Sequence, residues 1–148
     1  MECYNFKKII NGKKGIYDKS LDVTYIITME DNKSRHRNIQ NQLKKCKLTK
    51  ITYIVLNKGF KKCQKNLIKN TTNYDLIHCN LEIFKHSLKL GYNNILVLED
   101  DFIIEDRILE KQHINNINYF FKNKKNNLFN LSLGSIPLIN LPSNNYFL

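Results

Sequence analysis

Three consecutive acidic residues, Glu99, Asp100 and Asp101, follow the apolar run Ile-Leu-Val-Leu at residues 95–98. An unbroken apolar run is typical of a central strand that is covered on both faces. The acids then lie at the carboxyl end of the strand, which is the edge of an open α/β sheet where ligands bind. Because three carboxylates repel one another, we expect a positive partner there, most simply a divalent metal.

The spacing of the acids predicts which of them act together. Alternate side chains share one face of a strand, so we expect Glu99 and Asp101 to converge while Asp100 points away. Such a pair suits Mg²⁺ or Mn²⁺, whose remaining ligands are the phosphates of a substrate. The metal would neutralise a diphosphate leaving group as a Lewis acid. The alternative is that the acids only end a strand and face the positive pole of the next helix.

Strand and helix patterns alternate along the chain and predict an α/β fold with a mostly parallel sheet and flanking helices. Strands are predicted at 23–27, 51–56, 95–98 and 128–134. Helices are predicted at 35–46, with Ser34 as N-cap, at 74–90, with Gly91 just beyond its end, and at 107–122. The segment 61–70 is predicted to be a short helix or a loop. In the helix at 74–90 the apolar residues recur at the spacing of an amphipathic helix: Ile77, Leu81, Phe84 and Leu88.

These elements divide the chain into three parts. Residues 1–21 are predicted to form an N-terminal arm, with a short strand or helix near 6–10. Residues 22–135 form the α/β domain, and residues 136–148 an irregular tail that contains Pro137 and Pro142.

The chain is strongly basic, with 24 Lys and Arg against 13 Asp and Glu and a net charge of +11. A basic balance alone is only the electrostatic footprint of a nucleic-acid partner. The lysines are scattered among asparagines, so nucleic-acid binding is not expected. A solvated basic face is the interpretation we favour for the lysines that follow the second strand: Lys58, Lys61, Lys62 and Lys65.

Targeting signals and the pattern of cysteines indicate the cellular compartment of a protein. No apolar run is long enough to span a membrane, and the first fifteen residues lack the apolar core of a signal peptide. We therefore expect an intracellular protein. The four cysteines form no C-x-x-C pair and no zinc pattern, and free, partly buried thiols are expected. The histidines His86 and His113 are expected to be exposed and structural.

The motif L-V-L-E-D-D-F at residues 96–102 resembles the acidic motif of glycosyltransferase family 25, the group of lipopolysaccharide and collagen-type sugar transferases. Gly91 stands eight residues before Glu99, as the glycine that ends the preceding helix does in that family. Residues 25–29 with the following Arg35 and Arg37 are similar to the family's opening strand and Arg-rich start. Leu-Ser-Leu-Gly at 131–134 resembles its next strand, and the likeness covers residues 22–135.

This resemblance implies a GT-A type fold, a nucleotide-sugar donor and a divalent metal, Mn²⁺ or Mg²⁺, at the acidic motif. Glu99 and Asp101 would contact the metal or the diphosphate. The residues implied to bind the donor are Thr28 and Met29 at the nucleotide, Arg35 at the diphosphate, and Asp100 beside the metal ligands.

The chain also departs from the family pattern. Cys79 and Asn80 stand where the family commonly has Ser-His, and family members continue well beyond residue 134, so we expect a partial member that contains the donor-binding half. The sequence identifies no catalytic base, no sugar and no acceptor, whether glycan, lipid-linked molecule or protein. An alternative is a non-catalytic α/β module of the same fold. A metal-dependent nuclease is a third, disfavoured because apolar residues 102–104 follow the acids.

Overall fold

A computed structural model of the chain describes residues 2–123, in which four strands form one sheet. The order across the sheet is β1-β3-β2-β4; β2, β3 and β4 are parallel, and β1 is antiparallel to β3. The predicted α/β fold with a mostly parallel sheet is confirmed. The strands are β1 (Tyr4–Ile10), β2 (Val23–Met29), β3 (Ile51–Asn57) and β4 (Ile95–Glu99).

Three helices accompany the sheet: α1 (Lys33–Lys45), α2 (Thr72–Lys89) and α3 (Lys111–Asn123). The predicted helices at 35–46 and 74–90 are confirmed to within two residues at each end. The predicted helix at 107–122 is instead divided into a 3₁₀ turn, Asp106–Leu109, and α3. The segment 61–70 contains turns and bends but no helix. No helix within residues 2–123 is long and apolar enough to cross a membrane.

The core has a layer on each face of the sheet. Alternate residues of β2 serve the two layers, because successive side chains of a strand point to opposite faces. Tyr25 packs with Cys79 and Ile83 of α2, whereas Ile26 packs with Ile39 of α1. This burial on both faces explains the unbroken apolar run of β2.

Residues 2–21 pack against the rest of the described domain. The strand or helix predicted near 6–10 is a strand, β1, whose Tyr4 pairs with Asn57 at the end of β3. Tyr17 is fully buried beside Leu48, and burial raises the pKa of its hydroxyl to about 12. The N-terminal residues therefore contribute both backbone pairing and core contacts.

Strand β4 lies at the edge of the described sheet and is only half-buried. The sequence predicted a central strand covered on both faces. Within residues 2–123 it pairs with β2 alone. The predicted strand at 128–134 and the tail at 136–148 lie outside the described residues.

Helix α2 buries a different face from the one its apolar pattern indicates. The large apolar residues at helical spacing are exposed, by 46% to 76%: Ile77, Leu81, Phe84 and Leu88. The buried side instead carries Cys79 and Ile83 with two histidines beside them. The sheet beneath presents tyrosine hydroxyls, which need polar partners when buried. Tyr25 pairs with His86 and Tyr4 with His78, each at 2.9 Å, so the expectation that His86 is exposed was wrong.

The helix ends show one confirmed and one wrong prediction. Gly91 follows the last turn of α2 with a φ of +75°, the left-handed conformation that glycine adopts without a Cβ clash. At the start of α1 the N-cap is Asn32, whose side-chain oxygen accepts a 3.2 Å bond from the Arg35 amide. Ser34 instead donates its hydroxyl to Asn32, because it already lies within the first turn.

Two cysteines are joined, contrary to the expectation of four free thiols. Cys3 and Cys63 form a disulfide, while Cys46 and Cys79 are free and buried as expected. The antiparallel pairing of β1 with β3 brings Cys3 beside the segment that leaves β3. The Cα atoms of Cys3 and Cys63 lie 5.6 Å apart, a distance that a disulfide spans.

Candidate functional site

An open cavity of about 540 Å³ lies where the parallel strands β2, β3 and β4 end. This is the carboxyl edge of the sheet, where α/β folds bind ligands. The residues that line it come from these strand ends, from the β3–α2 connection and from the start of α2. They are Ile27, Thr28, Met29, Asn57, Lys58, Gly59, Phe60, Lys61, Lys62, Thr72, Asn73, Asp75, Leu76, Glu99 and Asp100.

The acidic turn, Glu99 to Asp101, contributes two of its three acids to this cavity. Strand β4 ends at Glu99, and Asp100 and Asp101 form a turn, so the alternation that predicted a Glu99–Asp101 pair does not continue past the first acid. Glu99 and Asp100 line the cavity, whereas Asp101 is exposed and is not among its lining residues. The pair on the cavity is therefore adjacent in sequence.

Asp100 contacts two of the other residues predicted to bind the donor, Thr28 and Arg35. Its carboxylate accepts a 2.7 Å hydrogen bond from the hydroxyl of Thr28 and lies 3.7 Å from Nε of Arg35. The side chain of Asn38 donates to its backbone carbonyl at 3.1 Å. These contacts tie the acidic turn to β2 and α1. Of the residues predicted to bind the donor, Thr28, Met29 and Asp100 line the cavity. Arg35 is not a lining residue but contacts Asp100, which is.

A divalent metal at the acidic turn would need oxygen ligands from the side chains around it. Within residues 2–123, no group of three or more His, Cys, Asp or Glu side chains surrounds a common point. Both oxygens of Asp100 are engaged by Thr28 and Arg35. Glu99 is exposed and makes no ion pair in this part of the chain. One free carboxylate suits a metal whose other ligands are phosphate oxygens and water.

The basic turn, Lys58 to Lys62, contributes three lysines to the same cavity. The sequence interpretation placed these lysines on a solvated face. One sequence signal could have placed these lysines at the cavity: their turn directly follows the predicted strand β3, and parallel strands end at one edge of a sheet. Gly59 has a φ of +75°, a left-handed backbone conformation that favours glycine because a Cβ there is strained.

A buried ion pair lies beneath the basic turn. Lys65 and Asp75 form a salt bridge with side chains that are 1% and 7% exposed, so the expectation of a solvated Lys65 was wrong. Asn57 donates to Asp75 at 3.2 Å and accepts from the Gly59 amide at 2.8 Å. The Lys65 ammonium also lies 4.4 Å from the ring centroid of Tyr4. These bonds hold the turn against the end of β3.

The residues at the Ser-His position of the resembling family are structural in this protein. Cys79 is fully buried under α2, and burial raises the pKa of its thiol to about 12, which keeps it protonated at neutral pH. The side chain of Asn80 donates to the Leu76 carbonyl of its own helix. His78 pairs with Tyr4. Neither position supplies a nucleophile.

Comparison of the chain with models of protein families, with curated proteins and with solved structures found no match. Function is therefore inferred from the cavity and from the residues that line it.

Proposed function

We propose that this chain is the donor-binding part of a glycosyltransferase and that its cavity takes a nucleotide sugar. One observation carries the proposal. Four residues predicted from the sequence as donor or metal contacts lie at the ends of two separate strands, or directly after one, and line one cavity at the carboxyl edge of the sheet: Thr28, Met29, Glu99 and Asp100. The resemblance to family 25 and a GT-A type fold belong to the same proposal.

The chemistry of the lining suits such a donor. A volume of about 540 Å³ is within the range of roughly 300–1,000 Å³ that is usual for small-molecule sites. Apolar side chains such as Met29 and Phe60 can pack against a nucleoside. The charged turns can face its diphosphate, since phosphate oxygens pair with ammonium groups and with metal ions.

A divalent metal, Mn²⁺ or Mg²⁺, would be held by Glu99 together with the phosphates of the donor. Asp101, in the same turn, is the second predicted ligand. When bound, the metal would neutralise the negative charge of the leaving diphosphate. The chain's own contribution is to hold Glu99 at the cavity through the contacts of Asp100 with Thr28 and Arg35.

The test is a thermal-shift series with Mn²⁺ and a panel of nucleoside diphosphate sugars. We expect a matching donor to raise the melting temperature, because a ligand that binds only the folded state stabilises it. Glu99→Gln and Asp101→Asn should each reduce the part of the rise that depends on Mn²⁺. Asp106→Asn is the matched control, since it removes the same charge from the 3₁₀ turn outside the cavity. No shift with any nucleotide sugar would contradict the proposal.

The second candidate is a non-catalytic α/β interaction module. The exposed apolar face of α2 favours it, because extended apolar surface is a feature of chains that bind another surface. Sugar transfer or donor hydrolysis by the purified chain, lost in Glu99→Gln, would exclude this candidate.

A further inference from the structure

The charges around the cavity do not cancel. Asp75 is neutralised by Lys65, Asp100 faces Arg35, and Lys62 pairs with Asp31. The hydrogen bond from Lys62 also holds the pKa of Asp31 below its usual value.

Three charged residues on the cavity make no ion pair with any described residue: Lys58, Lys61 and Glu99. Two ammonium groups thus stand against one carboxylate, and the cavity favours an anion.

The two lysines stand on a turn that is held in place before any ligand arrives. The Lys58 amide donates to the Cys3 carbonyl at 3.1 Å, and the amides of Lys62 and Cys63 both donate to the Gly59 carbonyl. The Cys3–Cys63 disulfide then closes the turn onto β1. A backbone ordered in advance loses little entropy on binding, so its cationic groups bind an anion more tightly.

We propose that Lys58 and Lys61 bind the phosphate groups of the ligand directly, so that a diphosphate binds in this cavity without a divalent metal. The inference rests on the proposed function for the identity of the site, but it concerns the anion alone. Each ammonium group carries three N–H donors and pairs with phosphate oxygens as a point charge. Lys62 contributes less, because Asp31 already holds its ammonium group.

The experiment measures inorganic pyrophosphate binding by isothermal titration calorimetry in the presence of EDTA. The test variant is Lys58→Gln/Lys61→Gln. The matched control is Lys13→Gln/Lys14→Gln, which removes the same charge from a separate cavity at the opposite edge of the sheet. Circular dichroism verifies that both variants fold.

We expect the test variant to bind pyrophosphate at least roughly tenfold more weakly, as the loss of charge-assisted bonds predicts. The control variant should bind pyrophosphate with nearly the affinity of the unmodified chain. The affinity of the unmodified chain should fall with added salt. An equal loss in both variants would show attraction by net charge alone and overturn the proposal. Binding that requires Mn²⁺ would overturn it as well.

The outcome is separable from that of the proposed function. Lysine-dependent binding of pyrophosphate, with no binding of any nucleotide sugar, would support this inference and contradict the glycosyltransferase proposal. Nucleotide-sugar binding that is as tight in Lys58→Gln/Lys61→Gln as in the unmodified chain would support the glycosyltransferase proposal and contradict this inference.

Discussion

The acidic turn and the basic turn meet at one cavity, but different contacts hold them there. The acidic turn continues directly from β4, and the exposed Glu99 is placed by the strand itself. The basic turn depends on links to other segments: a disulfide that spans 60 residues, and beneath the turn an ion pair that joins Lys65 to Asp75 of α2. The acidic turn is thus placed by the strand that it follows, with added contacts from Asp100 to Thr28 and Arg35, whereas the basic turn depends on a disulfide and a buried ion pair, so substitutions should affect the two turns unequally.

Removal of Asp75 is expected to have the largest effect. Asp75→Ala leaves the buried Lys65 ammonium without its carboxylate, with only the Asn57 side-chain oxygen and the Tyr4 ring beside it, and the loss of one partner of a buried ion pair costs about 3–5 kcal/mol in unfolding free energy. It should also weaken pyrophosphate binding, because Asn57 and the basic turn lose their support. Urea denaturation measures the first effect and calorimetry the second. The control is Asp31→Ala, which breaks an exposed ion pair and should leave the unfolding midpoint unchanged. Equal losses of unfolding free energy in Asp75→Ala and Asp31→Ala would contradict the role of the buried ion pair in holding the basic turn.

The disulfide should rank second. Cys3→Ser removes a cross-link that closes a long loop, and the loss of unfolding free energy should be about 2–4 kcal/mol. The same loss should appear when the unmodified chain is treated with dithiothreitol. The Cys3→Ser/Cys63→Ser variant serves as the control, since the reductant should not change it. If reduction leaves the unfolding midpoint of the unmodified chain in place, the disulfide does not hold the basic turn.

The contact between β2 and the acidic turn should have a smaller effect. Thr28→Val removes the hydroxyl that donates to Asp100, and the expected loss is about 1–2 kcal/mol in unfolding free energy, because a half-buried acceptor loses one bond. A double-mutant cycle with Asp100→Ala should give a coupling of roughly 1 kcal/mol, as residues in direct contact do. Strict additivity of the two substitutions would show that the bond does not support the turn.

Glu99→Gln should have the smallest effect on stability. The side chain is exposed and has no described ion-pair partner, so the unfolding free energy should change by less than about 0.5 kcal/mol. Pyrophosphate binding in EDTA should persist or strengthen slightly, because one negative charge leaves the cavity. A large loss of stability would mean that Glu99 supports the fold.

Strands β2 and β3 and helices α1 and α2 were predicted from the sequence to within two residues at every end, since apolar periodicity and Gly91 are local signals. The place of the three acids at the carboxyl end of β4 was predicted for the same reason. Three features were not: the disulfide of Cys3, the burial of Lys65, and the side of α2 that faces the sheet. Each depends on which residues the packed sheet brings close together, and the polar partners that buried tyrosines require changed the face of α2.

By itself, the sequence determined the order of strands and helices and placed the three acids at the end of β4, because side-chain periodicity acts over a few residues. Only the tertiary structure decided that Glu99 and Asp100 share a cavity with the lysines of the basic turn. That arrangement needs the parallel pairing of β2 with β3 and β4, and the closure of Cys3 onto Cys63. Both join segments that no short stretch of sequence connects.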